Sequence, residues 1–256
     1  MLMEGDSRAV QAKVMLVAGG TGSIGGEIAR QALACGWHVA LHGKTAASVD
    51  AAAARLELKG DWSGFAAELA HEGVDTLVER VGGQLGRIDA VVDCISGGPP
   101  GIIGRFPSTD PRAYAAFYDA SIAHVQRLAH ASLPWLQREG GTLIAFASDA
   151  GRFAAPNQTM IGTSRAAIMA FVRNLAVEVA RDGVRTHCIS PSYVEGSKSF
   201  LRAEAAGSTR IDQARRRAGL GLPTAADIAP LVLFLCSEGA RRITGQVISV
   251  NGGLNA

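Results

Sequence analysis

The chain has 256 residues, 48% of them hydrophobic, which is enough for one large α/β domain with a sizeable core, and no linker-like stretch divides it. Lys+Arg 25 against Asp+Glu 23 gives a formal charge of +2, and the basic residues are scattered rather than gathered into a stripe, which argues against nucleic acid as a partner. No apolar run reaches the length needed to span a bilayer, and residues 1–12, read as an N-terminal extension, lack a signal core, so a soluble cytoplasmic protein without a membrane partner is expected.

Cys35, Cys94, Cys188 and Cys236 lie far apart, within or beside apolar runs, with no CxxC pair and no His at ligand spacing. Buried free thiols and no metal site are expected. The run Arg215-Arg216-Arg217 reads as a solvated helix face.

Residues 13–18 (KVMLVA) form a short apolar strand that ends in a glycine-rich turn feeding an amphipathic helix. Gly20, Gly22 and Gly25 fit GxGxxG, and strand, glycine turn and helix in that order are the first unit of a dinucleotide-binding fold. Gly19, Thr21, Gly22, Ser23, Ile24 and Gly25 are therefore candidates to hold a pyrophosphate on backbone N–H groups; the alternative is a tight turn with no ligand.

A second strand, 38–41, ends in His42, Gly43 and Lys44, where such a fold meets the adenosine ribose. A 2′-phosphate calls for a cation and room instead of a carboxylate, so these residues favour NADP(H) over NAD(H), unless Lys44 is an ordinary surface lysine. Residues 46–56 form an alanine-rich helix, and 56–58 are expected to be a short third strand. Beyond it, Asp61 is a candidate acceptor for the adenine amino group, while Trp62 either covers the ring or simply packs. A helical region runs on to Leu85, and 89–95 (DAVVDCI) is the fourth strand, whose exit at Ile95, Ser96 and Gly97 would let a nicotinamide ribose lie close.

Residues 111–136 predict one long helix with Tyr114, Phe117, Ser121, Val125, Leu128 and Ser132 on one face; His124 and Tyr118 fall near it and read as packing. The stretch 142–147 is a buried strand with Ser148 at its mouth, followed by a loop and a helix entered near Ile161. Ser148 either caps a turn or stands where an open α/β sheet places its chemistry. Another strand, 185–190, leads to the turn Pro191-Ser192-Tyr193-Val194. Residues 195–222 are small, polar and basic and suggest a mobile segment covering the cleft. A capped helix over 223–237 and a strand within 244–255 complete an alternating β/α order, hence a parallel doubly wound sheet.

These residues resemble the short-chain dehydrogenase/reductase family from about Lys13 onward. The likeness is carried by 18–25 (AGGTGSIG), 86–89 (GRID), 174–178 (NLAVE), and 243–246 (ITGQ) through Asn251-Gly252-Gly253. It implies a single Rossmann-type, three-layer αβα domain over 1–256, a nicotinamide cofactor that Pro191 and Val194 help to hold, and hydride transfer to or from a small molecule. It also implies a homotetramer or homodimer, with 243–255 resembling an interface. The family uses a serine, a tyrosine, a lysine and an asparagine. Ser148 matches the serine, but Ile161 stands at the tyrosine's place, Arg165 at the lysine's and Ser121 at the asparagine's. The chain has no tyrosine between Tyr118 and Tyr193 and no lysine between Lys59 and Lys198. Further departures are Ala18 for threonine, Ser23 for glycine, and Asp93-Cys94-Ile95-Ser96 for Asn-Asn-Ala-Gly.

Two functions follow. One is an NADPH-dependent reductase of an activated carbonyl or enone, lacking the usual acid, with Ser148 and Arg165 stabilising negative charge and the proton coming from water, the substrate or Tyr193. The other is a dinucleotide-binding relative without turnover, a sensor or structural partner.

Overall fold

A computed structural model describes residues 12–69, 73–95, 101–205 and 207–255. Its centre is a seven-stranded, wholly parallel sheet in the order β3-β2-β1-β4-β5-β6-β7. The strands are β1 (Val14–Ala18), β2 (His38–Gly43), β3 (Trp62–Ala66), β4 (Ala90–Asp93), β5 (Thr142–Phe146), β6 (Arg185–Pro191) and β7 (Val247–Val250). The chain order reverses between β1 and β4, so the crevice beyond their carboxyl ends is the topological switch point, where such sheets bind ligands.

The helices are α1 (Ser23–Ala34), α2 (Ala46–Arg55), α3 (Gly73–Leu85), α4 (Tyr114–Tyr118), α5 (His124–Leu136), α6 (Thr159–Val179), α7 (Lys198–Ala205), α8 (Thr209–Arg217) and α9 (Ala225–Cys236). The period-2 alternation of a strand divides β1 between two cores. Met15 and Val17 pack with Ile28 and Ala29 of α1 and Val232 of α9, whereas Val14, Leu16 and Ala18 pack with Leu77 of α3 and Leu128 of α5. Each fully buried aliphatic side chain contributes about 1.5–3 kcal/mol. Asp89 staples the amino edge, its Oδ2 accepting from the Val14 N–H and from Arg87 Nε, each at 2.8 Å.

Three expectations change. The third strand is Trp62–Ala66 rather than 56–58, because Leu56 caps α2 and the Leu58 N–H still bonds to Ala53 O. Asp61 and Trp62 therefore open β3 at the amino edge, where Trp62 aligns with Val39 and Asp61 Oδ2 pairs with His38 Nδ1 at 2.8 Å, at the opposite end of the sheet from the glycine turn. The segment 195–222 holds a folded helix pair, α7 and α8, with its own core of Phe200, Ile211, Ala214, Ala218, Leu222 and Leu254. The arginine run is an exposed helix face, as expected, on which Arg215 pairs with Glu195 and Glu204 and lies over the Phe200 ring. Finally, Cys35 is exposed and Cys94 half-buried, while Cys188 and Cys236 are buried. The long helix over 111–136 is continuous but contains a π turn at Asp119–Ala123, between α4 and α5. Among the described residues no helix is long and apolar enough to cross a membrane, and no His, Cys, Asp or Glu cluster is placed to hold a metal.

Candidate active site

The glycine turn is closed by its own backbone. Gly19 adopts φ +77, the Gly22 N–H bonds to Gly19 O, and a Cβ on Gly25 would lie 2.6 Å from that same oxygen. Gly22 is the N-cap of α1 and no side chain caps the helix, so the N–H groups of its first turn, including Ser23 and Ile24, are left for an anion.

The carboxyl end of β2 locks onto this turn. His42 is 4% exposed; its Nδ1 accepts from the Gly19 N–H at 3.1 Å and its Nε2 donates to Ala67 O at 3.0 Å. Burial lowers its pKa, and both ring nitrogens are used within the protein, so His42 is a neutral tie inside the fold rather than a cation for a phosphate. A Cβ at Gly43 would sit 2.5 Å from Thr21 Cγ2, so this position admits no carboxylate. Lys44 is exposed and paired with Glu68 at 2.6 Å. Arg55, which drew no attention in the sequence, donates to Thr21 O at 3.2 Å and brings a second cation to this end.

At the end of β4, Ile95 lies against Gly19, since a Cβ there would be 3.1 Å from Ile95 Cγ1. Ser96 and Gly97 lie outside the described residues. Asp93, 2% exposed, accepts at Oδ1 from the Ile95 N–H at 3.1 Å and pairs with His124 Nε2 at 3.2 Å. His124 is thus more than packing. Ser121, within the π turn, gives its hydroxyl proton to Phe117 O at 2.7 Å.

Beyond β5, Ser148 Oγ accepts from the Ala150 N–H at 3.3 Å and caps a short 3₁₀ turn, Asp149–Gly151. The turn-cap reading holds in the geometry, and the Ser148 hydroxyl keeps its own proton to donate. Two glycines bring this turn onto α6: a Cβ on Gly151 would lie 2.6 Å from Ala166 N, and one on Gly162 the same distance from Ala150 O. The Ser148 turn thereby meets the stretch of α6 that carries Ile161 and Arg165. Ile161 packs into an apolar cluster with Ile102, Phe117, Met160 and Tyr118. Arg165 is half-buried and has no hydrogen-bond or ion-pair partner among the described residues; burial lowers its pKa while the charge of Asp93 opposes that shift.

Asp149, also unmarked by the sequence, is 2% exposed and collects donors from distant strands. Ser190 Oγ lies at 2.9 Å and Ser249 Oγ at 2.8 Å, Asn251 Nδ2 also donates, and Asn255 Nδ2 stands 3.5 Å away. Pro191 and Val194 are buried at the end of β6, and Tyr193 leans on the α7–α8 core.

A family model described as enoyl-(acyl carrier protein) reductase matches residues 18–255. Pig (Sus scrofa) dehydrogenase/reductase SDR family member 4 is 28% identical over 247 residues, covering 94% of this chain and 86% of the relative. A short-chain type dehydrogenase/reductase from Mycobacterium ulcerans superposes with a TM-score of 0.86 at 24% identity, over 95% of this chain and 90% of that one. A 7α-hydroxysteroid dehydrogenase complexed with NADH and 7-oxo glycochenodeoxycholic acid superposes with a TM-score of 0.84 at 22% identity, over 95% of this chain and 94% of that one. The chain belongs to the short-chain dehydrogenase/reductase family of oxidoreductases.

Proposed function

We propose that the protein is an NADP(H)-dependent reductase of a small activated carbonyl or enone, working with Ile161 where the family has its tyrosine and Arg165 where it has its lysine. The observation that carries this reading is Arg165: a half-buried guanidinium with no hydrogen-bond or ion-pair partner among the described residues, on the stretch of α6 that packs against the Ser148 turn through the close contacts of Gly151 with Arg165 and Ala166 and of Gly162 with Ala150. A half-buried cation on the helix that meets the Ser148 turn suits an oxygen that gains negative charge as hydride arrives at its carbon. NADP(H) is favoured because Gly43 leaves no room for a ribose-binding carboxylate, while Lys44 and Arg55 stand nearby. The cofactor, when bound, supplies the hydride; the residues of this chain orient the substrate and meet the charge.

The second reading, a nucleotide-binding relative without turnover, is favoured by Ile161, which has no proton to give and packs among apolar side chains. Mixing the protein with NADPH and quinones, enones and aromatic ketones separates the two. Loss of the reduced-nicotinamide absorbance supports the reductase; measured NADPH binding with no loss across the panel supports the second reading. We place the protein in the cytoplasm as a homotetramer or homodimer. The exposed Val177 on α6 and the neighbouring groove of about 570 Å³, with Arg152 and Arg173, offer a surface for a second copy, and light scattering tests it.

A further inference from the structure

The reductase reading leaves a proton unaccounted for. Hydride delivered to a carbonyl carbon moves the C=O π pair onto oxygen, and that alkoxide must take a proton while NADPH becomes NADP+. Ile161 has none and Arg165 does not release its own. Ser148 could pass a proton on but needs one in return.

One buried ionisable pair stands at the mouth of this crevice, its carboxylate held by the Ile95 N–H and by the imidazole. Asp93 ends β4 at the switch point beside the glycine turn, level with Ala18 of β1. His124 opens α5 directly after the π turn, an irregularity common at functional sites. Both are under 5% exposed, and Nε2 of His124 is engaged by Asp93. Its Nδ1 has no hydrogen-bond partner among the described residues and is not one of their fully buried unpartnered atoms. The charged and titratable groups around it are Asp93 on β4, His42 on β2, and Asp119 and Arg127 on its own helical run; the charges of Arg165 on α6 and Asp93 attract each other, and the Cys94 thiol adjoins Asp93. His42 is neutral and Asp119 pairs with Arg127 at 2.7 Å, so Asp93 is the charge that governs the ring.

We infer that His124, held by Asp93, is the proton store of the site: as imidazolium it releases its Nδ1 proton through water in the crevice to the nascent alkoxide, and it is refilled from solvent. After release the ring is neutral, keeps its Nε2 proton on Asp93, and the sum is NADPH, carbonyl and proton giving NADP+ and alcohol. Burial alone would discharge the imidazole, but the hydrogen bond and charge of Asp93 outweigh it and hold its pKa above the usual histidine value, which favours the imidazolium.

The inference rests on the reductase reading, and the experiment has two arms that fail separately. In the first, His124→Gln keeps a hydrogen-bonding side chain without a titratable proton. With a substrate found in the panel, kcat falls about 100-fold or more while the NADPH Kd changes less than about threefold, and the ionisation that limits kcat at high pH disappears. Asp93→Asn shifts that ionisation to lower pH, and the double variant, an uncharged hydrogen-bonded pair, folds by circular dichroism and resembles His124→Gln in kcat. Retention of kcat and of the ionisation in His124→Gln overturns the inference, as does their loss in Tyr118→Phe instead. In the second arm, the His124 ring proton is titrated by NMR with NADPH and with NADP+ bound. A store facing the nicotinamide titrates lower beside the oxidised, positively charged ring by about half a pH unit or more, and an unchanged titration overturns it. A protein that binds NADPH but turns over none of the panel fails the reductase reading, and the titration then still decides whether the pair faces the nicotinamide.

Discussion

The two sides of the cleft are built by different means. On the β1–β4 side, glycines let chain segments close on one another: Gly25 against Gly19 O, Gly43 against the Thr21 side chain, and the Gly19 N–H on the buried His42 ring. On the β5–β7 side a buried carboxylate, Asp149, gathers hydroxyl and amide donors from Ser190, Ser249 and Asn251. The first kind of site is specified by side chains that are missing and by residues close in sequence. The second depends on side chains that are present, from strands far apart in the chain.

Substitutions can set these two designs against each other. The largest effect is expected on the carboxylate side. Asp149→Ala strands several buried donors and costs about 4 kcal/mol by denaturant unfolding, whereas Asp149→Asn, which keeps an acceptor, costs about half as much. The next concerns His187 on β6, 0% exposed, with neither ring nitrogen hydrogen-bonded among the described residues. Burial, reinforced by Arg185 and opposed by a backbone contact of Ile243 too poorly aligned for a full hydrogen bond, lowers its pKa from 6.5 to about 4. The folded protein therefore holds the ring neutral while the unfolded chain protonates it, so its stability is whole above the unfolded pKa and is lost as pH falls towards 4, by about 3 kcal/mol in all. His187→Val removes that component, measured as a shallower loss of stability below neutral pH.

On the backbone side, Gly25→Ala forces the turn apart, costs about 1–3 kcal/mol, and weakens NADPH binding beyond what the stability loss explains, which calorimetry separates. The smallest effect is expected at Lys44, whose exposed pair with Glu68 is weak. Lys44→Ala lowers NADPH affinity by about tenfold or less and leaves NADH unchanged, and Glu68→Gln, which frees the lysine, strengthens NADPH binding slightly.

That contrast also explains what could be read from the sequence. The glycine turn, the β/α alternation and the turn after β5 were legible because each is set within a few neighbouring residues. The third strand was misread because Leu56 and Leu58 are apolar for another reason: they close α2, with Leu56 packed over Gly26. Asp61 and Trp62 followed that error to the wrong end of the sheet. The helix pair over 198–217 was hidden by its charge, since only Phe200, Ile211 and Ala214 turn inward from it. Asp149 and the Asp93–His124 pair gave no sign of their partners, because an acidic residue after a strand reads as a turn until the groups brought to it by other elements are seen.

The Asp149 cluster also bears on how the chain reaches this state. Its donors at Ser249, Asn251 and Asn255 lie 100, 102 and 106 positions further along. Closing so long a loop is slow and entropically costly, so these bonds are expected to form after the folding barrier has been crossed. A weakened cluster would then leave the refolding rate almost unchanged and accelerate unfolding, making the turn that carries Ser148 a determinant of how long the native protein survives rather than how fast it appears.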